Sequence, residues 1–67
     1  MLSDEEQREL RLFTSSHLRL IITNKERYLV LAYQYDDWHD EVAKGLIADA
    51  EQVVAIAKSE LARRGKL

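Results

Sequence analysis

Apolar side chains recur every three or four positions through the second half of the chain. Such spacing places one residue per turn on the same side of an α-helix. Two members are alanines, which allow a neighbouring helix to approach closely. The pattern predicts a helix over about 38–64, ending on basic Arg63 and Arg64 with Gly65 as a left-handed C-terminal residue. The series is Val42, Leu46, Ala50, Val53, Ala57 and Leu61.

The first half of the chain carries a second helical series. Ser3 followed by Glu6 matches the capping box, in which each side chain satisfies a free amide of a helix start. The apolar and aromatic positions after it step mostly by three and four, which predicts one helix over about 4–35. This series runs through Leu10, Phe13, His17, Leu20 or Ile21, Asn24, Tyr28, Leu31 and Tyr35.

A β-hairpin is the alternative for part of this segment. Residues 17–23 and 27–35 are rich in β-branched and aromatic side chains, and Asn24 to Glu26 could form the loop of an α-β-β-α chain. The loop has no glycine, and residues 29–32 do not alternate polar with apolar, so a continuous helix is favoured. Asn24 could then mark a helix break or set the register of a dimer core.

The two predicted helices meet at a stretch of acids and aromatics over residues 33–41, with the turn at about 36–37. Asp36 or Asp37 can cap the second helix, and Asp40 and Glu41 would fall in its acid-favouring first turn. Together with His39, these acids could also suggest a metal cluster. Capping accounts for every acid in the stretch, so we expect neither a metal nor a cofactor.

The short chain limits how much core the fold can have. A single domain over 1–67 with no cysteine has neither disulfides nor thiolate metal sites to support it. A core of this size supplies only ~3–5 kcal/mol, so we expect a homodimer. The fold class predicted is all-α, an antiparallel two-helix hairpin that pairs into a four-helix bundle. The predicted dimer and core residues are Leu10, Phe13, His17, Leu20, Ile21, Tyr28, Leu31, Val42, Leu46, Ala50, Val53, Ala57 and Leu61.

Charge and composition narrow the function. A net charge of −2 disfavours general nucleic-acid binding, and residues 36–60 alone carry a net −5. There is no convergent catalytic set, so we expect no enzyme. No apolar run approaches the ~18–20 residues of a membrane span, and the acidic N-terminus lacks the basic region of a signal peptide. These features favour a cytoplasmic protein.

Aromatic side chains concentrate near the middle of the chain. The three tyrosines and the one tryptophan lie within 11 residues, and these residue types dominate protein-binding hot spots. They could instead cap the open end of the bundle. The alternative to protein binding is a small dimeric nucleic-acid-binding or regulatory protein that uses Arg8, Arg11, Arg19, Lys25 and Arg27. The residues predicted to bind a partner are Tyr33, Tyr35, Asp36, Asp37, Trp38, His39 and Glu41.

The cysteine-free helical layout and the stretch from Tyr35 to Asp40 resemble the small host-takeover proteins of Mu-like temperate bacteriophages. Within that group, the chain is similar to the anti-quorum-sensing anti-activators. The resemblance implies a dimer in the cytoplasm of the bacterial host that binds the DNA-binding domain of a LuxR-type quorum-sensing activator and blocks DNA binding. It also implies a type IV pilus assembly ATPase as a partner. An acidic second helix is compatible with masking a basic DNA-binding surface.

Overall fold

A computed structural model describes residues 1–34 and 40–67, and these residues form three α-helices and no strand. Helix α1 spans Asp4–Arg11, α2 spans Ser15–Gln34 and α3 spans Glu41–Arg63. The predicted all-α class is confirmed. The β-hairpin alternative is wrong, because α2 runs through residues 17–34 without a strand. The proposed break at Asn24 is wrong for the same reason.

The prediction of a single helix over 4–35 is wrong, because the helix is interrupted at residues 12–14. The last turn of α1 tightens, with the Leu12 amide donating to the Glu9 carbonyl at 3.0 Å. Thr14 then starts a new helix, because its Oγ1 accepts the His17 amide at 3.1 Å. Threonine and serine side chains compete for backbone amides and favour helix starts over helix interiors. The run of Thr14 and two serines therefore begins α2.

The outer helix ends largely follow the local signals in the sequence. The capping box of Ser3 and Glu6 is confirmed, with 3.1 Å between each side-chain oxygen and the opposite amide nitrogen. Gly65 has φ 71° after the end of α3, and its amide donates to the Ala62 carbonyl at 3.0 Å. With the Lys66 amide on the Leu61 carbonyl at 2.8 Å, this is a Schellman motif.

Helix α3 begins at Glu41, three residues later than predicted, and its cap is Asp40 rather than Asp36 or Asp37. The Asp40 backbone is extended, and its carboxylate accepts the Val42 amide at 3.1 Å. Any of the nearby aspartates has the right chemistry to cap, so the backbone conformation decides which one does. Further along α3, a Cβ at Gly45 would meet no atom within 4 Å in the described part of the chain, which makes this glycine tolerated rather than required.

Helix α3 lies between the other two. Helix α2 runs antiparallel along one side, where Lys58 reaches Glu26 at 3.2 Å. Helix α1 runs parallel to α3 along another side, from the Leu2 amide on Gln52 Oε1 at 2.9 Å to Arg11 on Glu60. The core lies where α1 ends, α2 begins and α3 ends. It consists of Leu10, Leu18, Ile22, Ile56, Ala57 and Leu61.

The buried side of α2 differs from the predicted stripe. Leu18 and Ile22 face the core, one position later than His17 and Ile21 of the prediction. The break at residues 12–14 causes this shift, because three non-helical residues change the phase between Leu10 and α2. Of the predicted dimer and core residues, Leu10, Ala50, Ala57 and Leu61 are buried and Ile21 and Val53 partly so. The exposed remainder is Phe13, His17, Leu20, Tyr28, Leu31, Val42 and Leu46.

None of the three helices, within the residues described, is both long enough and apolar enough to cross a membrane. The place of the exposed members of the predicted stripe in a dimer core stays a prediction.

Candidate protein-binding surface

An open groove separates α2 from α3 beyond the start of α1. Helix α1 has only eight residues, so it covers α3 from about Gln52 to Glu60 and leaves the N-terminal part of α3 without a third helix. Leu46 lies on the groove with 54% of its surface exposed. The groove has a volume of about 340 Å³ and is lined by Leu2, Lys25, Tyr28, Leu46, Asp49, Ala50 and Val53.

The apolar surface continues from this groove along α1. A second depression of about 200 Å³ shares Leu2 and Val53 with the groove and reaches Phe13. The Phe13 ring stacks on His17, with centroids 4.5 Å apart and planes 11° apart. We call this side the groove face, which consists of Phe13, His17, Tyr28, Val42 and Leu46 around the floor residues Leu2 and Val53.

Val42 belongs to the groove face because it lies one turn before Leu46 on the same side of α3. It is 70% exposed in the single chain. Five large side chains, three of them aromatic rings, thus lie on one side with a helical groove between them. Contiguous apolar surface of this kind marks an interaction site more often than isolated exposed residues do.

A second exposed surface lies on the other side of α2, and we call it the outer face. Val30 and Tyr33 share one side of α2, being three positions apart, and Tyr28 points elsewhere. The Tyr33 hydroxyl donates to Glu51 Oε1 at 3.0 Å. This bond to a carboxylate raises the pKa of Tyr33 above its usual value. The outer face consists of Glu26, Val30 and Tyr33 on α2 with Glu51 and Lys58 on α3.

The two ends of the molecule carry opposite charge. Cations collect where α1 ends, α2 begins and α3 ends, and the Arg19 guanidinium donates there to the Lys66 carbonyl at 2.9 Å. We call this the basic end, with Arg8, Arg11, Arg19, Arg63, Arg64 and Lys66. The first half of α3 makes the acidic end, with Asp40, Glu41, Asp49 and Glu51.

One acid lies within the basic end instead of on the acidic surface. Glu60 is 1% exposed and accepts hydrogen bonds from three guanidinium groups: Arg63, Arg64 at 2.8 Å and Arg11 at 3.2 Å. The bonds from Arg63 and Arg64 contribute most to lowering its pKa to about 2. Glu60 was counted in the net −5 of residues 36–60, and that count overstates the exposed acidity.

The same cluster joins the ends of all three helices. Arg64 extends past Glu60 and donates to the carbonyl of Arg11 at 2.7 Å and to Ser15 Oγ at 3.2 Å. The side chain of Arg64, the C-cap residue of α3, therefore contacts the last residue of α1 and the first residue of α2. The sequence predicted only charge compensation for Arg63 and Arg64, because no local pattern indicates contacts 49 and 53 positions away.

Most of the predicted partner-binding residues cannot be placed on this surface. Tyr35, Asp36, Asp37, Trp38 and His39 lie outside the described residues.

The other two predicted partner-binding residues are exposed. Tyr33 belongs to the outer face, and Glu41 lies at the start of α3, 3.7 Å from Lys44. Sequence reasoning missed Val30 and Glu51 on the outer face. The spacing of Val30 and Tyr33 was the only available signal. Across residues 1–34 and 40–67, no three metal-ligating side chains come together.

The basic residues predicted for nucleic-acid binding divide between surfaces: Arg8, Arg11 and Arg19 belong to the basic end, and Lys25 and Arg27 do not. Arg11 is held by Glu60 and Arg19 by the Lys66 carbonyl, both at the basic end. Lys25 lines the groove, and Arg27 lies two positions later, on a different side of α2. A phosphate backbone would need several cations on one surface.

No family model, curated protein sequence or solved structure matches the chain.

Proposed function

We propose that this chain is a homodimeric, non-catalytic protein-binding inhibitor that docks on a host protein. The observation that carries the proposal is the pair of exposed surfaces on opposite sides of α2. The groove face is apolar, and the outer face combines Val30 and Tyr33 with carboxylates. A dimer that covers one of them leaves the other free for a partner.

The chemistry of the outer face suits a basic partner. Tyr33 offers a large ring at little entropic cost, and it is 56% exposed. Glu51 beside it and the acidic end of α3 favour approach of a positively charged surface, because complementary charge raises association rates and selects partners. The helix of a DNA-binding domain that enters the major groove presents such a surface.

The resemblance to phage anti-activators gives this proposal a specific partner. A dimer docked on the DNA-binding domain of a LuxR-type activator would cover its basic surface and displace DNA. The exposed acids of α3 support this version, because they suit a basic surface on the partner.

The test is a competition experiment with a charge-matched control. Glu51→Lys is expected to weaken binding to the isolated DNA-binding domain at least tenfold by calorimetry, because it sets a cation against a basic surface. It should also reduce displacement of DNA in a gel-shift assay. Glu5→Lys on α1 changes net charge equally and should bind as the wild type does. Equal loss in both variants would contradict the outer face as the site.

Three further measurements complete this test. Tyr33→Ala should also lose affinity, with helical dichroism unchanged. If the activator domain does not bind at all, capture from a bacterial lysate with wild type and Glu51→Lys side by side tests for another host protein.

Light scattering should give twice the chain mass of 7.8 kDa, and a mass of one chain would contradict the homodimer.

A further inference from the structure

The groove face has an identifiable occupant. Resting on the homodimer proposed above, we infer that a second copy of this chain covers the groove face in an antiparallel arrangement. The Phe13–His17 ring pair of each copy then packs against Tyr28 and Leu46 of its partner. This assigns the dimer interface, its orientation and its central contacts, and it leaves the outer face free.

The shape of the groove face supports this pairing. Near the basic end, α1 covers α3, and the stacked rings of Phe13 and His17 lie beside it, where Phe13 lines only the smaller depression. Near the acidic end, the space between Tyr28 and Leu46 is open. Each copy therefore has an exposed ring pair at one end and an unfilled groove at the other.

A two-fold axis between these two features lets each copy fill the other. In an isologous interface, residue i of one copy contacts residue j of the other, and j contacts i in return. The ring pair of each copy lies on the groove of the other, so the same contact forms twice in one dimer. At each of the two contacts, three aromatic rings and Leu46 would become buried.

Charge selects the antiparallel orientation. In this arrangement, the basic end of one copy lies beside the acidic end of the other, which is favourable by Coulomb's law. Overlap of the two open grooves alone would set Asp40, Glu41 and Asp49 of both copies close together. Parallel copies would likewise place the two basic ends side by side.

The available area is sufficient. The chain extends 37 × 22 × 14 Å, so its broad side offers a footprint on the order of 800 Å², which is what each partner contributes to an interface of standard size. An interface restricted to the open groove would use only part of that side.

Cysteine pairing tests the arrangement, because the natural chain has no cysteine to interfere. His17→Cys and Leu46→Cys are made as separate variants, mixed after unfolding and refolding together, and treated with a short bismaleimide cross-linker. We expect a cross-linked dimer from the mixture and little from either variant alone. Both sites are exposed, so the substitutions should leave the helices intact by circular dichroism.

Ala48→Cys is the matched control for Leu46→Cys. It lies two positions along α3, is exposed and points away from the groove. Mixed with His17→Cys, it should give no cross-link. Equal cross-linking with Ala48→Cys would overturn the assignment. A strong cross-link from Leu46→Cys alone would also overturn it, because that result requires the two open grooves to face each other.

Failure of this inference is distinguishable from failure of the proposed function. If wild type and the refolded mixture are both dimers by light scattering and the mixture does not cross-link, only the interface assigned here is wrong. If wild type is a monomer, the homodimer itself is wrong. As an independent check, Leu46→Asp should give a folded monomer, and a folded dimer would contradict the groove face as the interface.

Discussion

Glu60 is the residue on which the packing of the three helix ends depends most. It is the one charged side chain buried among the described residues, and its three guanidinium partners come from α1 and α3. Removing the buried Glu60 carboxylate leaves three neighbouring guanidinium groups without their shared counter-charge. The cluster therefore couples the position of α1 to the end of α3.

We predict that Glu60→Gln lowers the thermal midpoint at pH 7 clearly more than Glu26→Gln does. The control removes a carboxylate from an exposed surface pair with Lys58, and such pairs contribute little. Differential scanning calorimetry of both variants checks the ranking. A midpoint for Glu60→Gln equal to that of the control would show that the cluster does not stabilise the fold.

The pH dependence of this effect follows from the sign of the pKa shift. The folded pKa of Glu60 is lowered from 4.5 to about 2, so the folded state binds its proton less readily than the unfolded state does. The stabilisation is fully present above pH 4.5 and is lost as the pH falls through 2. The difference in unfolding free energy between wild type and Glu60→Gln should shrink across that interval.

At the scale of the helices, Thr14 decides where α2 begins. Thr14→Ala removes the side-chain acceptor of the His17 amide and should cost about 1 kcal/mol of unfolding free energy, as lost helix caps do. Thr14→Ser keeps the hydroxyl and should restore most of it. Urea unfolding followed by circular dichroism measures both variants. Equal stability of the two would mean that the cap contributes nothing.

A helix end can be predicted from the sequence when the residues that determine it lie within a few positions of it. Ser3, Glu6 and Gly65 act within a few residues of themselves, and all three were predicted with their structural roles. The break at Thr14 was missed because Leu10, Phe13 and His17 keep helical spacing across it. Spacing alone records distances along the chain and not whether the backbone between them is helical.

At the scale of the whole molecule, one series with helical spacing contains both buried and exposed residues. Leu61 and Leu46 belong to one periodic series on α3, yet Leu61 is 1% exposed and Leu46 is 54% exposed. A helical pattern identifies a side that needs cover, but it does not say which neighbour provides it. The short α1 makes this difference, since it covers only the second half of α3. The candidate site was predictable as apolar and aromatic, while its division into two faces was not.

A homodimer of this kind should show stability that depends on concentration. Because folding and association are linked, dilution favours the unfolded monomer and lowers the thermal midpoint. We predict a midpoint that rises steadily over a hundredfold range of protein concentration. The Leu46→Asp variant should have a midpoint that does not vary with concentration. The same constancy in wild type would contradict a dimer in which association stabilises the fold.

The break between α1 and α2 also bears on how such a chain can change over generations. Inserting one residue inside a continuous helix rotates everything after it by about 100° and moves buried side chains out of the core. An insertion near Leu12 and Phe13 would instead be absorbed by backbone that is not helical. α1 could thus shift along α3 or change length while α2 keeps its phase. Such changes in α1 would alter the length of groove between α2 and α3 that stays uncovered, and would leave the rest of the fold unchanged.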